Sequence, residues 1–241
     1  TIAIQEYYKM NGIANTINTA CSSSANAIIY ATHLLKNNFA EIAIVGGVDS
    51  LSKFTINGFN ALHILSNEKS KPFSENRTGL NLGEGAAFLI LQKEENLIKG
   101  NKYAKLSGYG NCNDSFHPST LSPEATGPYL TMNKALSTSG LNVNEINHIN
   151  VHGTATENND LTESIALKRI FGDSVPSFVS TKANTGHTLG AAGAIEAVYS
   201  ILNIQFQEIY PQINFENAII DTGLIPNLTY QKTEINHVMS N

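Results

Sequence analysis

Apolar positions in this chain fall into short runs closed by glycine, alternating with longer stretches in which Ala, Ile and Leu recur at helical spacing. Residues 2–8 read as the end of a helix and 14–18 as a short strand. Asn18-Thr19-Ala20-Cys21-Ser22-Ser23-Ser24-Ala25 then sets small polar residues around one cysteine, and a helix is predicted from Ala25 to Leu35, ending near Asn38. Residues 42–47 predict a buried strand; strand, small-residue turn, helix and strand together are the pattern of a right-handed α/β crossover. A short helix is expected at 60–66, a loop of turn formers at 71–79, and a second buried strand at 83–91, whose glycines let backbones approach closely.

The later half repeats the alternation. A strand over 104–110 is expected to precede a long polar loop, 111–127, which carries Asp114, Phe116 and His117 and whose length suits a functional loop. A helix over 129–139 stops at Gly140, and a strand over 146–151 runs straight into His152. An amphipathic helix over 160–171 and a strand over 175–179 lead to Ser180-Thr181-Lys182-Ala183-Asn184-Thr185-Gly186-His187. The last strong helix, 190–203, opens on Ala191, Ala192, Gly193 and Ala194, small enough for tight packing. The letters show no low-complexity linker and no internal repeat.

At 241 residues the chain has room for one large domain or two small ones. Its 15 Lys and Arg against 20 Asp and Glu give a net charge of −5, with no basic stretch to follow a phosphate backbone, so nucleic acid is excluded as a partner. Two cysteines, Cys21 and Cys112, are too few for a disulfide framework and suit a reducing compartment, so a cytoplasmic location is expected. No apolar run reaches the roughly 20 residues of a bilayer span, and no membrane partner is expected. The chain opens at Thr1 without a methionine and reaches Cys21 almost at once, which reads as a piece of something longer.

Three strand-to-loop transitions carry reactive side chains: Cys21, His152 and His187. At a helix N-terminus, free N–H groups and the helix dipole favour a thiolate over a thiol and stabilise a carbonyl oxygen under attack. The competing reading is a buried, inert cysteine. Glycine and hydroxyl residues flank both histidines, leaving room and partners for an amide-bearing ligand, and Lys182 adds a fixed positive charge. His33, His63, His148 and His237 have no such setting and read as structural. The ligand spacings of a zinc site are absent, so no metal is expected.

Ala20-Cys21-Ser22-Ser23, Val151-His152-Gly153-Thr154-Ala155-Thr156 and Ser180 through Gly193, in that order, closely resemble the elongating β-ketoacyl-acyl carrier protein synthases of the thiolase superfamily. Gly58 through Leu62, Pro72-Phe73-Ser74, Arg77, Gly79 and Gly83-Glu84-Gly85 extend the resemblance over nearly the whole chain. The resemblance implies a thiolase-like α/β fold, a duplicated α/β/α/β/α sandwich. Residues 1–103 would be the remainder of an N-terminal half bearing the nucleophile, and 104–241 the C-terminal half bearing both histidines. The first half would be incomplete, and a C-terminal glycine-rich segment with an aromatic gate would be missing.

The implied reaction is decarboxylative condensation of an acyl-Cys21 thioester with malonyl-acyl carrier protein. His152 and His187 would stabilise the enolate, Lys182 would support their geometry and pair with Glu163, and Thr154 and Thr156 would contact the phosphopantetheine arm. Phe59 matches an acyl-pocket aromatic and His117 a residue near the carrier entrance. No cofactor is implied beyond the arm that the acyl carrier protein carries; the partners are that carrier and acyl and malonyl thioesters, with a homodimer or heterodimer as the assembly. Thr78, Leu80 and Thr55 depart from the family pattern. A non-catalytic partner subunit of the chain-length-factor kind is the alternative, opposed by retention of Cys21, both histidines and Lys182. A thiolase or initiating synthase fits less well, because Cys112 sits in an unsuitable loop and the set is Cys-His-His.

Overall fold

Two helices of small residues, meeting start to start, organise the molecule. The computed structural model describes residues 1–97, 102–117 and 120–241. Its elements are α1 (Ile2–Tyr7), α2 (Ser23–Lys36), β1 (Ile42–Asp49), α3 (Lys53–Ala61), β2 (Gly85–Gln92), α4 (Thr126–Ser139), β3 (His148–Asn150), α5 (Glu157–Phe171), β4 (Ser177–Val179), α6 (Lys182–Thr185), α7 (Ala192–Phe206), β5 (Glu208–Ile209), β6 (Gln231–Lys232) and β7 (Val238–Ser240). The α2 and α7 starts touch because nothing bulky intervenes: Ser24 Oγ accepts the Ala194 N–H at 3.0 Å, and a Cβ on Gly193 would lie 2.9 Å from the Ala25 nitrogen.

Sheets lie on either side of this helix pair. β1 and β2 pair antiparallel, Ile42 opposite Gln92 and Asp49 opposite Gly85, and Val45 with its partly buried neighbours packs on Ile28 and Ala31 of α2 and Ala197 of α7. The second sheet is parallel, in the order β4-β3-β7, with β7 against α7. Ile149, Phe178 and Met239 of this sheet pack with Met132 and Leu136 of α4 and Leu167 and Phe171 of α5, forming the main core. Sheet, helix pair, sheet and helix pair are four successive layers of the expected α/β/α/β/α sandwich. Both catalytic-looking loops leave the second sheet at strand carboxyl ends, where α/β sheets assemble their sites.

The expectation of two buried strands holds on one face only. Ile44 and Ile90, paired across β1 and β2, are 55% and 73% exposed, and Phe88 and Val48 lie open beside them. A sheet apolar on both faces is built to be covered on both, so this surface is the chain's main aggregation liability. The stretch Leu189–Phe206 has a mean hydropathy of 1.2 over 18 residues, the one helical stretch among the described residues that approaches a membrane span. In the fold it carries the buried Glu196 and packs against both sheets, which makes it a core helix.

Three elements differ from expectation. Residues 14–18 form no strand. The helix predicted at 60–66 lies earlier, as α3, because Ser52 caps it by accepting the Thr55 N–H. Residues 104–110 run without sheet pairing along α4, where the Tyr109 N–H and C=O both bond the Thr138 hydroxyl and where a Cβ on Gly110 would meet the Thr131 oxygen at 2.1 Å. The long loop 111–127 is present as a loop, with 118 and 119 outside the described residues; Asp114 ties it down by accepting from Ser122 N, Ser122 Oγ and Gly127 N.

His148 is fully buried on β3, and neither ring nitrogen makes a hydrogen bond of normal geometry among the described residues. Burial, only partly offset by the Ser177 backbone, pushes its pKa down to about 4. The folded value lies below the unfolded one, so the neutral ring is the folded form, and stability falls as pH drops through 6.5 toward 4. Between pH 7.5 and 5 the contribution is about 2 kcal/mol. Urea unfolding of His148→Leu should lose correspondingly less stability over that interval; an unchanged pH dependence contradicts this assignment.

Candidate active site

Cys21 stands on a strained turn. Ala20 takes φ +54, and Ser22 N–H and Ser23 N–H close back onto the Thr19 and Ala20 carbonyls. The Ser23 hydroxyl accepts from Thr19 N and donates to Ala20 O, and the Ser22 hydroxyl donates to Thr19 O, so the small polar residues are consumed in making the turn. Cys21 is thereby presented one residue before the α2 N-cap. Gly47 makes room for this arrangement: a Cβ there would lie 2.7 Å from both the Gly190 oxygen and the Ser24 side chain.

His152 leaves the end of β3, where Glu163 of α5 accepts its N–H at 2.7 Å and the Gly153 N–H at 2.8 Å. His187 follows α6 and is gripped from the other half of the chain: its N–H donates to Asn81 O at 2.8 Å, and its C=O accepts from Gly83 N at 2.9 Å. A Cβ on Gly83 would meet the Thr185 oxygen at 2.1 Å, so only glycine fits that crossing. One ligand atom each from Cys21, His152 and His187 lies within 4.8 Å of the other two, and the imidazoles meet edge to face with centroids 5.3 Å apart.

Hydrogen bonds assign the tautomers. His187 Nδ1 accepts the Leu189 N–H at 3.2 Å. Lys182 Nζ stands 3.3 Å from His152 Nδ1 and 2.7 Å from the His152 carbonyl, and it bonds Glu196 Oε1 in a buried ion pair. Three ammonium protons thus meet three acceptors. With Nδ1 accepting in both rings, each neutral imidazole carries its proton on Nε2. Burial keeps both rings neutral: it holds His152 well below the ordinary value and, with the Lys182 charge, pushes His187 down to about 3. Protonated Nε2 atoms beside a fixed ammonium are hydrogen-bond donors and poor metal ligands, although the three side chains are close enough to meet at one ion.

Cys21 departs from expectation in one respect. Burial raises its pKa, against the lowering influence of Lys182 and of the N–H groups of Cys21 and Ser22. The helix N-terminus therefore offsets desolvation without overcoming it.

The profile of "Beta-ketoacyl synthase, N-terminal domain" matches residues 2–96, and that of "Beta-ketoacyl synthase, C-terminal domain" matches residues 103–216. The chain belongs to the β-ketoacyl synthase family. Within this family it is 34% identical to a putative mitochondrial 3-oxoacyl-[acyl-carrier-protein] synthase of Schizosaccharomyces pombe, over 99% of this chain and 60% of that protein. It is 36% identical to 3-oxoacyl-[acyl-carrier-protein] synthase 2 of Rhizobium meliloti, over 97% of this chain and 58% of that one. Among solved structures, the ishigamide ketosynthase/chain length factor superposes with a TM-score of 0.94 at 30% identity, over 100% of this chain and 60% of that one. A ketosynthase in complex with its chain length factor from Xenorhabdus doucetiae gives 0.88 at 37% identity, over 99% and 59%. The chain thus spans about 60% of the length of these family members.

Set against this family frame, the expected residues divide. Cys21, His152, His187 and Lys182 converge. Glu163 does not pair with Lys182: it accepts from the His152 and Gly153 amides and from Asn241 Nδ2, and Glu196 holds the ammonium instead. The reason is placement, since Glu163 faces the backbone of the His152 turn while Glu196 rises from α7 directly beneath Lys182. Burial pushes Glu163 up to about 7, opposed by those N–H donors. A lone carboxylate amid the apolar residues of α7 was the sequence signal for Glu196. Thr154 is buried, and its hydroxyl lies 2.9 Å from that of Thr156, the α5 N-cap. His117 lines a polar cleft of 590 Å³ with Thr19, Ser22, Asn26 and Asp114, bordering the Cys21 turn. Phe59 lies half-buried on α3, a helix without a buried residue.

Proposed function

We propose that the protein of which these residues form part condenses an acyl thioester with malonyl-acyl carrier protein, giving 3-oxoacyl-acyl carrier protein and CO2. The observation that carries this reading is one thiol within 4.8 Å of two imidazoles that both accept hydrogen bonds at Nδ1. In the first half-reaction the Cys21 sulfur bonds the acyl carbonyl carbon, and the carrier thiol leaves with the proton. Splitting the condensation this way lets one carrier depart before the next arrives.

In the second half-reaction the bond between the malonyl α-carbon and its carboxylate breaks. CO2 departs, and the electron pair passes into an enolate whose oxygen accepts from the His152 and His187 Nε2–H groups. The α-carbon then attacks the acyl-Cys21 carbonyl, a carbon–carbon bond forms, and the Cys21 thiolate leaves. Lys182 with Glu196 fixes the His152 tautomer, Glu163 holds its turn, and the Thr154 and Thr156 hydroxyls receive the pantetheine arm. Phe59 is assigned to the acyl pocket and His117 to the carrier entrance.

The site needs no resident cofactor on this reading, because the phosphopantetheine arm arrives on the carrier protein. The carrier is the assigned partner: one similar structure, at a TM-score of 0.92 and 29% identity, is a type II polyketide ketosynthase in complex with its acyl-carrier protein. A homodimer, or a heterodimer with a chain-length-factor subunit, is the assigned assembly. Two unpaired cysteines favour the cytoplasm. The test is mass spectrometry of carrier-bound products from the full-length gene product supplied with acyl- and malonyl-carrier protein. A 3-oxoacyl product two carbons longer, with one CO2 released, is expected; product formed only after an active synthase is added would assign the partner-subunit role instead.

A further inference from the structure

Arg77 is buried to 8% exposure, yet its guanidinium makes no ion pair within 4 Å among the described residues. Its donors go to backbone carbonyls: Nε to Thr156 O at 3.2 Å, Nη2 to Glu157 O at 2.7 Å and Nη1 to Ser74 O at 3.0 Å. Placing a buried cation against the first turn of α5, where the helix dipole is positive, is electrostatically unfavourable. The buried Asp160 carboxylate, on which the Arg77 charge acts favourably, offsets part of that cost, and a fork of donors fitted to successive carbonyls selects arginine over another cation.

The neighbouring bonds close on the same turn. Gly79 N donates to Ala155 O at 3.0 Å, and the buried Asp160 carboxylate accepts both Ala155 N at 3.1 Å and Phe73 N at 2.7 Å. Ala155 itself is held at φ +64, in the left-handed region. Residues 73–79, from the cysteine-bearing half, therefore grip residues 155–157 at three backbone carbonyls. The Thr154 and Thr156 hydroxyls, 2.9 Å apart, stand in the grip.

We propose that Arg77 is a positioning residue: it fixes the Thr154–Thr156 hydroxyl pair and so sets affinity for the amide-bearing arm of the carrier thioester. The inference rests on the function proposed above. Losing the fork leaves the Thr156 carbonyl on the Asp160 N–H alone and the Glu157 carbonyl without the guanidinium, so the Thr156 hydroxyl is held less firmly and the arm loses about one hydrogen bond's worth of binding.

The test compares Arg77→Lys, Thr156→Val and the double variant in the full-length gene product. Three readouts are KM for malonyl-carrier protein, kcat, and the rate at which iodoacetamide alkylates Cys21, which needs no arm. Arg77→Lys should raise KM about five- to tenfold, with kcat and alkylation within about twofold. Thr156→Val should raise KM similarly, and adding Arg77→Lys to it should change little more, because both act through one hydroxyl. Independent, multiplying effects, or a change in alkylation equal to that in KM, overturn the proposal in favour of a purely structural arginine. If Thr156→Val leaves KM unchanged, the arm assignment itself fails; if only Arg77→Lys is silent, Arg77 alone is misassigned. Should Arg77→Lys not fold, Arg77→Gln, which keeps an amide donor facing the same carbonyls, serves the same cycle.

Discussion

His152→Ala and His187→Ala are each expected to lower condensation about 100- to 1000-fold while leaving acylation of Cys21 measurable. The split follows from where the proposed charge develops. During the proposed acyl transfer the attacking and leaving groups would both be thiols, so little new charge would need the histidines. During decarboxylation a full negative charge moves onto the malonyl thioester oxygen, which two Nε2–H donors would meet. Because burial pushes His187 down to about 3 and holds His152 low as well, both rings are neutral from mildly acidic pH upward. Neither histidine should therefore impose a pH dependence on condensation between pH 5 and 8. The measurement is paired single-turnover kinetics, acylation followed by mass and condensation by 3-oxoacyl product. Equal loss of both half-reactions would mean that the alanine collapsed the site; for His152 this control matters, since Lys182 loses an acceptor with the ring.

The parts of this molecule that lie along the chain were legible, and the parts that reach across it were not. Cys21, His152, His187 and Lys182 sit in short runs of glycine and hydroxyl residues that stand out as letters, and the structure brings them together. The α2 and α7 helices were readable because their small residues cluster at one end. The pairing of Lys182 was misread because Glu163 before it and Glu196 after it both lie in plausible helices, and only the fold shows which carboxylate rises beneath the ammonium. Arg77, Asp160 and Asn81 are ordinary polar residues in sequence; they acquire meaning from backbone atoms 79 or more residues away. Asn81, for example, receives the His187 N–H while its side chain bonds Ser66 and Glu68.

Local signals also competed. Apolar spacing at 60–66 suggested a helix, but the Ser52 cap starts one at Lys53 and the helix ends at Ala61. Alternation at 104–110 suggested a strand, yet two glycines let this segment lie against α4 and spend its hydrogen bonds on Thr138. For Cys21 the helix N-terminus was correctly placed and its electrostatic sign correctly argued, but desolvation outweighs it. Proximity to a helix start is visible in sequence; burial is not.

The raised thiol pKa bears on the central claim, that Cys21 is the acylated nucleophile. Its thiolate fraction, and with it the acylation rate, should increase with pH through the alkaline range. Cys112, exposed in the loop that borders the polar cleft, is the internal control, being the only other thiol in the chain. The decisive measurement is peptide mapping by mass spectrometry after incubating the full-length gene product, and its Cys21→Ala variant, with acyl-carrier protein thioester. The predicted result is one acyl group on the peptide carrying Cys21, absent from the variant, with condensation abolished in parallel; acyl label on Cys112, or label that persists in Cys21→Ala, would contradict the account.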